Sequence, residues 1–355
     1  MKNKIALIAI ALVAIVGLVV SGCAAPPAPA PASPAPAPAP KVYKWKFQVL
    51  WDPATMPYHI EEEFVERVKE LSGGRLVLEM YPPGGLVPTM EMLDAVSKGV
   101  FELMKTYDGY YMGKEPALAF TGSVAAGFPE AWDYETWFWE LGGIKLAREA
   151  YKKFNCYYIA PTVYGYEPQH SKVPIRTLAD YKGKKARFVG MALKVAEKLG
   201  MSVTPMKTAD VYPALEKGVI DLADRGGLKA NWDAGIQEVT KYIILPGWHQ
   251  PATATSYVAN LDAWNKLPAD LKAILEAAGR ESSMKLFTRH RVESVRALKD
   301  FIDYGIEVIY LPKEDVMKIR EIAKEVWAGY AAKSPLAKKV YDSQMEYMKL
   351  LGLIK

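Results

Sequence analysis

The sequence predicts an α/β fold with two lobes and one long helix that spans both. Two stretches of the chain alternate strand and helix patterns, and each stretch is long enough to form its own sheet. The third observation is an unbroken helical pattern over Ala269–Tyr304, which is too long for one small lobe. A length of 355 residues, 50% of them hydrophobic and 24% charged, fits one large or two medium globular domains.

The first block has the order βαβαβ. A strand pattern at 45–51 is followed by apolar residues at helical spacing over 58–71. An alternating strand at 75–81, a helix at 89–98 and a strand at 101–106 complete the block. Because parallel strands need a crossover helix between them, this order predicts a largely parallel sheet.

The second block repeats this order after a strand pattern at 157–166. Its predicted elements are a short helix at 178–183, a strand at 185–189, a helix at 191–199, a short strand at 203–205, a helix at 210–217 and a strand at 219–223. A strand at 253–260, a strand at 307–311 and helices over 314–351 follow the second block.

The late strand predicts lobes that are discontinuous in sequence. Lobe I is predicted to hold 41–160 and 250–285. Lobe II is predicted to hold 161–249 and 286–355, including the C-terminal helices.

Residues 1–22 have the pattern of an export signal. Lys2 and Lys4 precede an apolar run of 16 residues at 5–20, shorter than the ~20 that a spanning helix needs. The run ends in Val-Ser-Gly-Cys, which resembles a bacterial lipobox and predicts a lipid on Cys23. The alternative is an ordinary signal peptide that happens to be followed by Cys.

Residues 23–40 are predicted to be a lipidated tether rich in Pro and Ala. Residues 24–40 contain eight of the 25 prolines and no charge, which favours extended polyproline II structure over a packed core. The folded part is therefore expected to be exported and anchored by lipid at the outer face of a bacterial membrane, in the periplasm or at the cell surface.

Composition and motifs argue against several function classes. The net charge of +5 is spread along the chain, which argues against a nucleic-acid partner. The four His form no HExxH or HxH pair, and two Cys are too few for a Cys-rich zinc module. No P-loop or GxGxxG turn is present, and Gly122-Ser123 lacks the second Gly of a nucleophile elbow. The sequence therefore predicts a binding protein and not an enzyme.

Seven segments resemble the solute-binding proteins of TRAP (tripartite ATP-independent periplasmic) transporters, most closely the subgroup that binds 2-oxo acids. They are SGGRL (72–76), LVPTMEMLDAVSKG (86–99), YYMGKEPA (110–117), LADYKGKKAR (178–187), ALEKGVIDLAD (214–224), KYIILPGWHQP (241–251) and VYDSQM (340–345). The resemblance implies a fold of the periplasmic-binding-protein type, with a ligand cleft between the two lobes. It also implies capture of a small organic acid, a carboxylate such as a 2-oxo acid, and delivery to membrane permease subunits. The alternatives are a solute-binding subunit of a membrane receptor and, less favoured, an exported enzyme on the same scaffold.

The resemblance also implies which residues bind the ligand. Arg187 occupies the position whose guanidinium holds the ligand carboxylate in the family. Asp224 occupies the position of an acidic residue that helps to hold sodium or calcium, although no cofactor is expected to be required. Arg225 departs from the subgroup, which has Trp there. It either replaces the cation and pairs with Asp224 and the ligand, or points to solvent and leaves a metal in place.

Six further residues are candidate ligand contacts. They are the polar residues Glu167 and Gln169, the aromatic pair Tyr110 and Tyr111 near the predicted cleft mouth, and Trp248 and His249 where the chain returns between the lobes. Aromatic walls with a few polar tips are typical of small-ligand sites.

The C-terminal helix carries an apolar stripe of Val340, Met345, Met348 and Leu351. Such a stripe needs a partner surface. It predicts either a homodimer through this helix or a helix that folds back on its own lobe.

Overall fold

Two mixed β-sheets carry the fold in the computed structural model, which describes residues 41–355. Within that range the strands β1 to β11 are Tyr43–Gln48, Leu76–Tyr81, Leu103–Thr106, Cys156–Tyr164, Gln169–Ser171, Lys185–Arg187, Ser202–Val203, Leu222–Ala223, Tyr242–Leu245, Thr253–Asn260 and Glu307–Tyr310. One sheet has the order β2-β1-β3-β10-β4, and the other has the order β11-β9-β5-β8-β6-β7. The predicted signal peptide, the tether and Cys23 lie outside the described residues.

Helices cover both sheets, as an α/β fold requires. In the same range α1 to α13 are Met56–Leu71, Met92–Ser97, Ala119–Gly122, Ala131–Glu140, Gly143–Lys152, Gly190–Lys198, Val211–Glu216, Leu228–Asp233, Ile236–Val239, Leu261–Lys266, Ala269–Tyr304, Lys313–Ala331 and Pro335–Leu350. None of these helices has the length and apolar character needed to cross a membrane.

The chain passes between the sheets three times. It leaves the first sheet after β4, builds most of the second, returns at β10, and then contributes β11 to the second sheet through α11. The exact lobe ranges stay a prediction, since residues 41–355 form one compact unit.

The strands of the first block, β1, β2 and β3, pair in parallel as predicted, but each complete sheet is mixed. β10 runs antiparallel to β3 and β4, and β5 runs antiparallel to β8 and β9. Both strands enter their sheet directly from the other sheet without a crossover helix. They therefore start at the edge where the neighbouring strands end and run in the opposite direction.

The long helix α11 packs against elements of both sheets, as predicted. Leu271 and Leu275 in its first half lie in a hydrophobic cluster with strand residues of the first sheet. Ala297 and Phe301 in its second half pack with Ile243 of β9 in the second sheet. One rigid element therefore supports both sheets.

The C-terminal helix α13 folds back on its own chain. Val340, Met345 and Met348 are buried in the largest hydrophobic cluster. The Nε2 of Gln344 donates a hydrogen bond of 2.8 Å to the carbonyl of Phe120. The alternative in which the helix folds back therefore accounts for the apolar stripe.

Candidate functional site

A narrow cavity of about 60 Å³ lies where the ends of strands from both sheets meet. Its lining residues are Leu50, Trp51, Asp52, Thr55, Tyr107, Tyr110, Glu167, Arg187, Thr208, Arg225, Gly226, Ala230 and Gln250. Most follow the carboxyl end of a strand, namely β1, β3, β4, β6 or β8. Ligand sites in open α/β sheets form at these ends.

Arg187, the last residue of β6, is buried and held by protein acceptors. Its Nε and Nη2 donate to the carbonyl of Met206 at 3.2 and 3.0 Å. Its Nη1 donates to the carbonyl of Asp224 at 3.0 Å and to the Asp224 carboxylate. One Nη2 N–H is then left for a ligand, because a guanidinium carries five N–H groups.

Two buried carboxylates, one lining this cavity and one beside it, share one amide donor. The Nε2 of Gln250 donates to Glu167 Oε2 and to Asp224 Oδ2, both at 3.2 Å. The Tyr164 hydroxyl donates to Glu167 Oε1 at 2.6 Å. Burial, and then the negative charge of Asp224, raise the pKa of Glu167 to about 7. Glu167 therefore carries a proton in a large fraction of molecules at neutral pH.

Arg225 follows β8 and does not point to solvent. Only 10% of its side chain is exposed, and burial lowers the pKa of its guanidinium. Its Nη1 donates to the carbonyl of Ala230 at 3.1 Å, and its Nη2 lies 3.5 Å from Asp52 Oδ2. Its Nε has no hydrogen-bond partner among residues 41–355. The partner of Arg225 is thus Asp52 after β1, and not Asp224.

The structure separates the two adjacent tyrosines. Tyr110 lines the cavity, whereas Tyr111 lies in the core with its hydroxyl 2.9 Å from Thr106 Oγ1. Tyr107, which sequence reasoning did not select, also lines the cavity and packs edge-on against Tyr110 at 5.2 Å. The sequence signal that could have identified Tyr107 is its position directly after a strand and three residues before another tyrosine. A Cβ atom on Gly190, at the start of α6, would lie 2.8 Å from the Tyr107 hydroxyl.

Gln169, Trp248 and His249 form a buried cluster that does not line this cavity. The Trp248 indole donates to the Tyr181 hydroxyl at 2.9 Å, and that hydroxyl donates to Gln169 Oε1 at 2.8 Å. Gln169 Nε2 lies 3.4 Å from His249 Nδ1. Burial lowers the pKa of His249 to about 4, so the ring is neutral at pH 7. Trp248 instead lines a separate cavity of about 340 Å³ beside Pro246 and Arg320.

The donor set fits a hard cation poorly. Calcium takes six to eight oxygen ligands. Both carboxylates near the cavity already accept hydrogen bonds on both oxygens, and two guanidinium groups lie beside them. In the described part of the chain, no three His, Cys, Asp or Glu side chains are placed to hold a metal. Asp224 would need to exchange Arg187 and Gln250 for an ion.

Residues 49–334 match the sequence model described as bacterial extracellular solute-binding protein, family 7. The chain belongs to this family. Its members bind solutes outside the cytoplasm and are not enzymes.

Individual relatives confirm the resemblance to TRAP solute-binding proteins. A monocarboxylate 2-oxoacid-binding periplasmic protein from a Nostoc species is 28% identical over 307 residues, which are 86% of this chain and 84% of the relative. A TRAP transporter solute-binding protein from Bordetella bronchiseptica, solved as a dimer with calcium and picolinate in one active site, is 29% identical. Its TM-score is 0.82, covering 88% of this chain and 93% of that structure. A third, from Pseudoalteromonas atlantica with sodium and pyruvate, is 27% identical with a TM-score of 0.81, covering 88% and 96%.

The two-lobed α/β fold of this family 7 protein is thereby confirmed. The metal ions in the two solved relatives belong to those proteins. In this chain two arginines lie next to the two carboxylates that a metal ion would need as ligands.

Proposed function

We propose that this protein captures a small organic acid in the cavity between its sheets and delivers it to the permease subunits of a TRAP transporter. The observation that carries the proposal is the lining of the cavity. Two guanidinium groups, Arg187 and Arg225, meet there with the carboxyl group of Glu167, whose pKa is about 7. Asp224, beside the cavity, pairs with Arg187. A ligand carboxylate can balance the positive charge that remains.

The size and lining of the cavity favour a small carboxylate. The polar groups of Gln250 and Glu167 lie beside the arginines and can meet a carbonyl or hydroxyl of the ligand, and Tyr107 and Tyr110 form an aromatic wall. The relatives that bind a monocarboxylate 2-oxo acid, picolinate or pyruvate support the same ligand class.

A thermal-shift screen tests the proposal with pyruvate, lactate, pyroglutamate and 2-oxoglutarate, and with glucose and glycine amide as uncharged and cationic controls. An acid at 100 times its Kd should add about 2.7 kcal/mol to the unfolding free energy. We expect a shift with at least one acid and none with the controls. If none of the acids raises the melting temperature and calorimetry shows no heat of binding, the proposed ligand class is wrong.

We further propose that the mature protein is a lipoprotein held at the outer face of a bacterial membrane through Cys23. The support is the sequence of residues 1–40, with its short apolar run, lipobox pattern and proline-rich tether. Mass spectrometry of the membrane fraction should find diacylglycerol on Cys23, and Cys23→Ser should release the protein into the soluble fraction. An unmodified Cys23 in the membrane fraction contradicts the proposal.

Fewer exposed apolar residues support a homodimer through α13 than the sequence indicated. The stripe that called for a partner is covered by the chain's own core, and the exposed apolar residues left at its end are Leu350 and Leu351. Light scattering of Leu350→Glu against the wild type decides whether this end joins two copies. An equal mass for both proteins excludes a dimer that depends on Leu350.

A further inference from the structure

We propose that Arg225 receives the ligand carboxylate, on the guanidinium edge formed by Nε and Nη2, and that its charge makes a bound metal ion unnecessary. This inference rests on the proposed capture of an organic acid. It assigns the two-pronged contact to Arg225 and leaves Arg187, which the sequence motifs favour, a single N–H for the ligand.

The hydrogen bonds of Arg187 leave it one N–H for a ligand, and not a two-pronged edge. Its Nε and Nη2, the two nitrogens that would form a fork for a carboxylate, both donate to the Met206 carbonyl. Its Nη1 donates to the carbonyl and the carboxylate of Asp224. Arg187 therefore holds the loop after β8 in place and has its charge balanced by Asp224.

Arg225 presents the opposite arrangement. The Ala230 carbonyl accepts a hydrogen bond from Nη1 at 3.1 Å, which fixes the plane of the guanidinium. This leaves the edge of Nε and Nη2 available, and that edge matches the two oxygens of a carboxylate. The side chain lines the cavity and is nine-tenths buried. Even so, its Nε has no hydrogen-bond partner in the described part of the chain. A buried donor of this kind needs an acceptor.

The present neighbour of Nη2 is one that a ligand can replace. Asp52 Oδ2 lies 3.5 Å away, beyond the usual length of a charged hydrogen bond, and 46% of the Asp52 side chain is exposed. Asp52 can therefore turn to water when a carboxylate arrives. Because Asp52 follows β1 of one sheet and Arg225 follows β8 of the other, this exchange takes place between the two sheets.

The charges around the cavity favour one carboxylate without a metal ion. Asp224 balances Arg187, and Glu167 is protonated in a large fraction of molecules at neutral pH. Arg225 is then the cation in the cavity whose only anionic neighbour within salt-bridge distance in residues 41–355 is the partly exposed Asp52. A metal ion added beside Arg225 and Arg187 would meet two positive groups, whereas an anionic ligand meets a guanidinium whose one near anion is partly exposed to water.

Isothermal titration calorimetry tests the proposal with pyruvate, lactate, pyroglutamate and 2-oxoglutarate. Each acid is titrated into the wild type, Arg225→Gln, Arg225→Lys and the control Arg176→Gln, first with EDTA and then with calcium. Arg176 is a suitable control because its side chain is 57% exposed and paired with Glu307 on the surface.

For each acid that the wild type binds, we expect Arg225→Gln to weaken binding at least about 30-fold, since it removes one partner of a buried charged pair. Arg225→Lys should be intermediate, about tenfold weaker, because it keeps the charge and loses the two-pronged edge. The control should bind as the wild type does, and EDTA should leave the wild-type affinity unchanged. The melting temperatures of the ligand-free Arg225 variants should stay close to that of the wild type.

The outcomes separate this inference from the proposed function. Wild-type affinity retained in Arg225→Gln, or lost in EDTA and restored by calcium, overturns the role of Arg225 while acid binding itself stands. No binding of any of the four acids to the wild type overturns the proposed function and the inference with it. Should Arg225→Gln fail to fold, the comparison of Arg225→Lys with the wild type decides, and equal affinity then contradicts the proposal.

Discussion

Single residues control the position of the buried carboxylate Glu167 in the cavity. A Cβ atom on Gly247 would lie 1.8 Å from the Glu167 carbonyl oxygen, so that the two backbone segments can approach only where no side chain intervenes. The backbone N–H of Glu167 also donates to the Gln250 carbonyl at 3.0 Å. The loop that returns to β10 thus fixes both the carboxylate and the amide that binds it.

We predict that Gly247→Ala weakens binding of the acid found in the screen by at least tenfold, on the order of 1.4 kcal/mol or more. The methyl group must push the Glu167 backbone away, and the hydrogen bond to Gln250 is lost with it. Calorimetric titration measures the affinity.

Gly329→Ala is the matched control for Gly247→Ala. Gly329 lies in α12, and a Cβ atom there meets nothing within 4 Å among the described residues. Its replacement should leave binding unchanged and stabilise the helix slightly. If Gly247→Ala binds the acid as tightly as Gly329→Ala does, the close approach of the two segments has no part in the site.

The C-terminal helix α13 contributes to the core of its own chain. Met348 is buried in the largest hydrophobic cluster, while Leu350, two residues further along, is 81% exposed. Replacing either residue with Ala changes helix propensity little, but the two side chains differ greatly in burial.

We predict that Met348→Ala lowers the free energy of unfolding by about 2–5 kcal/mol, because it leaves a cavity in a packed core. Leu350→Ala should change it by less than about 0.5 kcal/mol. Urea unfolding followed by circular dichroism measures both. Similar losses in the two variants would mean that α13 does not pack in solution as it does in the structure.

The elements that the sequence predicts well are those with a long, regular pattern. The predicted bounds of α11 and β10 agree with the structure, since one follows the helical period for ten turns and the other is a buried run of β-forming residues. β9 and the helices α4 and α5 were not predicted. For α4 the reason is that it is rich in aromatic residues on several faces and has no clear polar side. β5 was missed because three residues give no period to read.

The candidate site was predicted in part, for a physical reason. Motifs indicated Arg187, Arg225, Asp224, Glu167 and Tyr110, and each lies at or next to the cavity. Sequence alone does not show that Gln250 links the two carboxylates, because that contact joins three loops far apart in the chain. Sequence alone also does not show which of the two arginines donates most of its N–H groups to acceptors of the protein itself.

Buried acidic groups and buried histidines have opposite effects on how the stability of the folded protein changes with pH. Burial raises the pKa of Asp108 to about 6 and that of Glu135 to about 7. The folded state then holds protons that the unfolded state releases above about pH 4, so these groups favour folding in acid and lose that effect as pH rises through 6 to 7. Burial acts oppositely on the histidines and lowers the pKa of His170 to about 3. The pH dependence of the stability of the wild type therefore does not separate the contribution of the carboxyl groups from that of the histidines.

The difference between the wild type and His170→Leu does isolate the imidazole. His170 packs against Phe301 at 5.1 Å, and neither ring nitrogen has a hydrogen-bond partner within residues 41–355, so leucine can fill the site. The unfolded chain protonates His170 near pH 6.5, whereas the folded chain, with Arg225 and His249 nearby, keeps it neutral down to about pH 3. The wild type should therefore lose about 2 kcal/mol relative to the variant between pH 7 and pH 5. Urea unfolding of both proteins at these two pH values measures this change. A difference between the proteins that stays constant with pH would show that His170 takes up its proton in the folded state as readily as in the unfolded chain.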